Sequence, residues 1–193
     1  MKKLFIAIAL LLSVGGAAFS SEESSYSTFN LVYGQMNQSE VAVPDGVLDY
    51  GLGVDEKFFL TDFMGFSCGV NFNLMNLFDL QTNNLFLVDI YIGIPLKPID
   101  TGSLVFVVTP TFGFNLFSND LIGFLFSDVS MDVASFSLWA GAEVSLMFML
   151  SDDFGISIAD QIEYRFAGFG EYRPFDTMNH WANQLKLGLV IKN

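Results

Sequence analysis

The chain has 193 residues, of which 52% are hydrophobic, 22 are Phe and only 15% are charged. So much apolar surface requires either a large core or a membrane. The formal net charge is −13, and a chain this acidic is not expected to bind nucleic acid. The one cysteine, Cys68, has no partner within the chain for a disulfide.

The first twenty residues have the pattern of an export signal peptide. Lys2 and Lys3 form a basic start, residues 4–14 form an apolar segment, and the small residues Ala18 and Ser20 stand at the cleavage positions. The apolar segment is shorter than the roughly 20 residues that a membrane-spanning helix needs. We therefore predict cleavage after Ser20, which leaves a mature chain with a formal charge of 6 − 21 = −15.

The segment from Phe63 to Asn73 alternates without error between two kinds of residue. A period of two residues predicts a strand with two chemically different faces. Gly, Ser and Asn on one face suit a crowded, wet interior, so the apolar face is expected to contact lipid. The apolar positions are Met64, Phe66, Cys68, Val70 and Phe72, and the others are Gly65, Ser67, Gly69, Asn71 and Asn73.

Seven further segments of the mature domain, residues 21–193, alternate in the same way. Each is close to the length of about 9 to 11 residues with which a tilted strand crosses a bilayer. Long and short connections alternate between them, as in outer-membrane barrels with short periplasmic turns. The sequence thus predicts an all-β fold, an eight-stranded antiparallel up-and-down transmembrane β-barrel in the outer membrane. The predicted strands are Thr28–Gln35, Val47–Asp55, Phe63–Asn73, Leu85–Pro95, Ser103–Asn115, Val133–Met149, Phe154–Phe166 and Trp181–Lys192.

The mature chain resembles the small eight-stranded outer-membrane barrels, the group that includes OmpX, OmpW and the OmpA-type transmembrane domains. Their last strand ends in the order polar, any, Gly, any, any, apolar, any, and then an apolar or aromatic residue. Residues 186–193 fit this order except at Asn193, which replaces the usual Phe or Trp. The resemblance implies outer-membrane lipid and the barrel-insertion machinery as partners, with no cofactor.

A soluble lipocalin-like barrel is the main rival fold, since it is also exported, eight-stranded and antiparallel. It would turn the apolar face inward and expose the Gly, Ser and Asn face to water with almost no Lys. The membrane barrel is favoured for that reason.

Charged residues on the predicted inner face indicate a filled lumen. Because eight strands leave little room inside, we expect ion pairs that plug the barrel, with Glu163, Arg165, Lys186 and Asp89 in its outer half. The alternative is a water-filled pore in which the excess of acidic residues favours cations. The predicted lumen charge cluster is Asp89, Glu143, Glu163, Arg165 and Lys186, and Asp49 and Asp55 are further inward carboxylates.

Two residues disturb the alternation. Asp160 occupies a position that faces lipid by parity, and a bulge that turns it inward is the simplest explanation. A protein contact beside the small residues Ala140 and Ala142 is the alternative. Pro110, inside the fifth predicted strand, likewise suggests a bulge or a bend.

Some of the predicted outer loops are unexpectedly apolar. They are interpreted either as strand extensions or membrane-surface segments, or as the mouth of a path for a small hydrophobic ligand, which resemblance to OmpW implies. The predicted apolar outer-loop mouth consists of Leu121, Ile122, Phe124, Leu125 and Phe126.

The sequence offers little support for catalysis or metal binding. His180 is the only histidine; it lies beside Trp181, and no Gly-Xaa-Ser-Xaa-Gly motif accompanies it. We interpret His180 as an interfacial residue rather than a catalytic one, and no His or Cys spacing predicts a metal site. The prediction is a non-enzymatic barrel with a structural or surface-interaction role, with passive passage of small hydrophobic molecules as the alternative.

Overall fold

The computed structural model describes residues 24–37, 47–75, 85–118, 134–169 and 180–193. None of these residues forms a helix long and apolar enough to cross a membrane. The predicted signal peptide, residues 1–20, lies outside the described ranges. The strands are β1 (Ser25–Asn37), β2 (Val47–Phe59), β3 (Gly65–Met75), β4 (Leu85–Gly93), β5 (Leu96–Asp100), β6 (Leu104–Ser118), β7 (Ala134–Met149), β8 (Phe154–Phe169) and β9 (His180–Lys192).

The strands form one closed antiparallel barrel. Except for β4 and β5, each strand pairs with its neighbours along the chain, and the barrel closes where β1 pairs with β9. Both β4 and β5 pair with β6, so the nine strands fill eight positions around the barrel. The predicted eight-stranded up-and-down barrel is confirmed. The sequence predicts a turn over Pro95–Gly102, between the fourth and fifth predicted strands. That prediction is wrong, because β5 lies within this segment.

The interruption between β4 and β5 lies beside Pro110 of β6. The N–H of Ile94 donates to the Pro110 carbonyl oxygen at 3.1 Å, but Pro110 has no N–H with which to return the bond. β6 keeps an unbroken register with β7 past this point. The irregularity predicted at Pro110 therefore falls on the neighbouring strand, where the register shifts between Leu96 and Ile99.

The short connections lie at one end of the barrel together with Ser24 and Asn193, the first and last described residues. In each short turn a side-chain oxygen accepts a backbone N–H, which ties the turn to itself: Thr61 accepts from Met64 at 2.9 Å, and Ser151 accepts from Phe154 at 3.1 Å. By the usual orientation of such barrels this end is periplasmic. Residues 38–46, 76–84, 119–133 and 170–179 connect strands at the opposite end and lie outside the described ranges.

The two faces of the sheet are oriented as the alternation predicts. Phe29, Leu31 and Leu187 point outward and are 51%, 63% and 51% exposed, whereas Asn30 and Lys186 point inward and are 4% and 0% exposed. A soluble barrel would bury the apolar side chains and expose the polar ones. The lipocalin-like alternative is therefore wrong.

Several strands differ in length from the predictions. β2 continues to Phe59 instead of ending at Asp55, β6 continues to Ser118, and β8 continues to Phe169. β3 begins at Gly65, two residues later than predicted. The alternation of apolar and polar residues is required only where one face of a strand contacts lipid. Backbone hydrogen bonding between strands continues beyond that part, so β2, β6 and β8 are longer than their alternating segments.

Asp160 faces outward without a bulge. It lies opposite Val144 on β7 and Leu185 on β9 in an unbroken register, and its side chain is exposed. The predicted inward-turning bulge is wrong, because the register shift between β7 and β8 lies further along, beside Phe166. The carboxylate instead accepts a hydrogen bond from Asn183 Nδ2 at 2.6 Å.

Candidate functional site

The periplasmic end of the lumen is closed by an apolar layer, here called the periplasmic floor. Tyr26 and Phe59 pack edge to face within it, with ring centroids 5.8 Å apart. Lys97 Nζ lies 4.7 Å from the Phe59 ring centre and 2.8 Å from an Asp100 carboxylate oxygen. The floor consists of Tyr26, Phe59, Val105, Val107, Met147 and Val190, each at most 2% exposed.

Above the floor, Glu143 lies between two lysines. Lys57 Nζ is 2.9 Å from one of its carboxylate oxygens and Lys186 Nζ is 2.8 Å from the other. Lys57 also forms an ion pair with Asp55, which accepts a hydrogen bond from Asn30 at 2.6 Å. None of these five side chains is more than 4% exposed. The buried charges are therefore matched by partners, as burial requires.

The polar contacts continue into the outer half of the barrel. Lys186 donates to the Gln161 side-chain oxygen, and Gln161 Nε2 donates to Glu163 at 3.0 Å. Glu163 pairs with Arg165 at 3.2 Å, and the Arg165 guanidinium lies 5.3 Å from the Phe117 ring centre. One connected set of polar side chains therefore spans the lumen. This lumen network consists of Asp55, Lys57, Glu143, Lys186, Gln161, Glu163 and Arg165.

Asp89 is held by hydrogen bonds from two neutral side chains. Trp139 Nε1 donates to one carboxylate oxygen at 2.8 Å, and Gln184 Nε2 donates to the other at 3.2 Å. Gln184 in turn accepts from Asn71 at 2.9 Å. These contacts link four strands across the middle of the lumen.

Two glycines on the inner face make room for large rings. A Cβ on Gly113 would lie 2.5 Å from Trp139 Cζ2 and 2.6 Å from the Ile90 carbonyl oxygen, which is too close for either. A Cβ on Gly69 would overlap the ring of Tyr91. The small residues of the alternation are thus the places where interior aromatic side chains fit.

All five residues of the predicted lumen charge cluster lie inside the barrel. The structure brings Glu143 together with Lys186 and Glu163 together with Arg165. Lys186 is six residues from each end of β9, so it lies at mid-barrel and not in the outer half as expected. The functional role of the cluster stays a prediction. The predicted apolar outer-loop mouth, Leu121, Ile122, Phe124, Leu125 and Phe126, lies outside the described residues.

Sequence reasoning missed Lys57 and Trp139. Lys57 lies beyond Asp55, where the second predicted strand ends, although counting by two from Asp55 places Lys57 on the inner face. Trp139 also falls on the inner face by parity, where a large ring conflicts with a lining of small residues. Only the space above Gly113 explains how it fits.

Neither a catalytic nor a metal-binding arrangement is visible in the described part of the chain. His180 begins β9 opposite Arg165, and the neighbouring Asp176 and Thr177 lie outside the described ranges. Within those ranges no group of three or more His, Cys, Asp or Glu side chains is placed to hold a metal ion.

Apart from Asp160 and Asn183, the outer wall is apolar between two levels of aromatic residues. The rings of Tyr164 and Trp181 are in tilted contact toward the outer end, with centroids 4.9 Å apart, and Phe148 and Phe154 are exposed near the periplasmic turns. Aromatic girdles of this kind mark the two membrane surfaces. A lipid-facing wall around a lumen filled with side chains defines a transmembrane β-barrel of the outer-membrane class.

Comparisons with known proteins agree with this class at the level of the fold. The sequence matches no protein family and no curated protein. Among solved structures, Neisserial surface protein A is similar with a TM-score of 0.65 at 10% identity, over 88% of this chain and 99% of that one. A major outer membrane protein from Thermus thermophilus has a TM-score of 0.54 at 12% identity, over 89% and 98% of the two chains. Ail, the attachment invasion locus protein of Yersinia pestis, has a TM-score of 0.52 at 11% identity, over 90% and 100%.

Proposed function

We propose that the protein is a non-conducting, non-enzymatic barrel of the outer membrane with a structural or surface-contact role. The observation that carries the proposal is the doubly closed lumen: the lumen network spans its middle and outer parts, and the periplasmic floor closes its lower end. Eight strands enclose an interior that side chains can just fill.

Ion passage through such a lumen would be costly. A permeating ion would have to displace partners of Glu143, which has a lysine on each carboxylate oxygen. Breaking a buried ion pair exposes an uncompensated charge to a poorly solvating interior. Below that point the ion would meet the apolar side chains of the periplasmic floor.

A surface role is supported by where the long connections leave the barrel. Four connections join strands at the end opposite the periplasmic turns. By sequence they are acidic, with Glu40, Asp79 and Glu171 among their carboxylates and Arg173 as their one basic residue. A contact partner with a basic surface would fit this charge. Passage of small hydrophobic molecules stays an alternative prediction, since it depends on residues 121–126.

The proposal is tested by single-channel recording in planar bilayers. We expect no stable conductance from the native barrel. A variant that opens both closures, with Glu143→Ala, Lys186→Ala and Phe59→Ala, is expected to conduct, which would show that the protein inserts in the assay. A large, stable conductance of the native protein would overturn the proposal. Accumulation of a small hydrophobic dye in vesicles without ion conductance would favour the alternative.

A further inference from the structure

One polar pair lies on the wall that faces lipid. Asp160 on β8 is exposed there, and Asn183 on β9 donates to it at 2.6 Å. Along β8, the aromatic residues Phe154 and Tyr164 stand six residues before and four residues after Asp160. The pair is therefore within the apolar band and not at its edge. Carboxylates at that depth are unfavourable and are rare without a partner.

The pair retains hydrogen-bonding capacity that lipid cannot use. Among the described residues, Asn183 Nδ2 is the only side-chain donor to the Asp160 carboxylate. A carboxylate accepts at two oxygens, and an amide has two N–H donors and one acceptor. One Asp160 oxygen and one Asn183 N–H are thus available to a second molecule. Acyl chains offer neither a donor nor an acceptor.

We propose that Asp160 and Asn183 form the centre of an interface between two copies of this chain. A two-fold axis parallel to the barrel axis and passing between β8 and β9 sets β8 of each copy against β9 of the other. Asn183 of each copy then donates its second N–H to Asp160 of the partner subunit. A second copy supplies both an Asn183 N–H donor and an Asp160 oxygen acceptor, so the pair is complementary to the same pair on another copy.

The flanking strands fit the same axis. The axis also sets β7 of one copy against β1 of the other. Next to the pair, β7 presents the small exposed residues Ala140 and Ala142, whereas β1 presents Leu31 and Tyr33, which are 63% and 40% exposed. Small side chains on one wall allow close approach and leave room for large ones on the facing wall.

Cysteine cross-linking in native outer membranes tests the interface. Ile162 is 47% exposed beside Asn183, and Ile92 is 50% exposed on β4, on the opposite side of the barrel. Each is replaced by cysteine in a separate variant that also carries Cys68→Ser. Membranes that contain either variant are treated with a short bis-maleimide. We expect cross-linked dimer from Ile162→Cys, and no more than collisional background from Ile92→Cys.

Adding Asp160→Ala to the Ile162→Cys variant is expected to lower the dimer yield about tenfold, since two hydrogen bonds within the membrane are lost. Adding Asp62→Asn instead removes one negative charge at an exposed periplasmic turn and is expected to leave the yield unchanged. Equal yields from Ile162→Cys and Ile92→Cys would overturn the proposal. So would insensitivity to Asp160→Ala, or an adduct with a different protein in place of the dimer.

Discussion

Lys186 on β9 and Glu143 on β7 form an ion pair inside the lumen, with Nζ 2.8 Å from Oε2 and neither side chain more than 2% exposed. The second Glu143 oxygen is bound by Lys57 of β2. Three strands, β1, β9 and β8, lie between β2 and β7 in the barrel. Glu143 therefore joins Lys57 and Lys186 across the lumen.

Replacement of Glu143 by Gln is expected to destabilise the barrel strongly. The substitution keeps the shape but leaves Lys57 and Lys186 facing a neutral group, and breaking a buried pair costs about 3–5 kcal/mol. Urea unfolding in lipid vesicles, followed by heat-modifiable migration on gels, measures the loss.

The matched control is Asp62→Asn, which removes the same charge from an exposed turn and is expected to change stability by less than about 0.5 kcal/mol. Lys57 keeps its ion pair with Asp55 in the Glu143→Gln variant, whereas Lys186 loses its carboxylate partner. Combining Glu143→Gln with Lys186→Met removes that unpaired charge and should recover part of the loss. Equal stability of Glu143→Gln and the control would show that the network does not hold the barrel together.

An arginine placed at mid-band on the outer wall tests which face contacts lipid. Leu187 is 51% exposed near the middle of β9, so Leu187→Arg is expected to cost about 2–4 kcal/mol of unfolding free energy in a bilayer. Ile99 is 46% exposed on β5 at the periplasmic rim, and Ile99→Arg is expected to cost only about 0–1 kcal/mol. Similar costs at the two sites would contradict the orientation.

Gly113→Ala is expected to destabilise the barrel although it adds a single carbon. That carbon would lie 2.5 Å from Trp139 Cζ2 and 2.6 Å from a backbone oxygen, and overpacking of this kind typically costs about 1–3 kcal/mol. Ser145→Ala is the control, because the Ser145 hydroxyl is buried without a hydrogen-bond partner in the described structure. A near-UV circular dichroism spectrum reports displacement of Trp139, and an unchanged spectrum with unchanged stability would refute the predicted clash.

Gly102→Ala tests backbone conformation alone. Gly102 has φ of +79°, and nothing lies within 4 Å of an added Cβ, so the expected loss of about 1–2 kcal/mol comes only from forcing an L-residue into the left-handed region. Ser103→Ala, on the neighbouring exposed residue, should be nearly neutral in the same unfolding measurement. If both variants were equally stable, the turn would have to adopt another conformation in the bilayer.

The orientation of most side chains was predictable from the sequence, because it depends only on strand parity. Phe29 outward and Asn30 inward follow from the period of two, and the register between β1 and β9 leaves both where parity places them. Parity was less informative where both faces are apolar. From Leu104 to Val108 every residue is apolar. Parity places Leu104, Phe106 and Val108 outward. Val105 and Val107 are buried on the other face as that requires, but parity does not show that these two valines pack into an apolar periplasmic floor.

Asp160 shows the opposite failure. Strand parity shows that Asp160 is an exception to the alternation. From the sequence alone, the simplest explanation is a change within the same strand, a bulge. The structure keeps the strand regular and satisfies the carboxylate from Asn183, 23 residues away in the chain.

The sequence by itself determined the class of fold, because the alternation of apolar and polar residues along each strand distinguishes its lipid-facing side from its inner side. Only the tertiary structure decided which charges meet. Lys186 and Glu143 are 43 residues apart and Trp139 and Asp89 are 50 apart, and their contacts depend on strand register and on the curvature that brings distant strands to one lumen. Those quantities arise when the sheet closes, so no pattern within a single strand contains them.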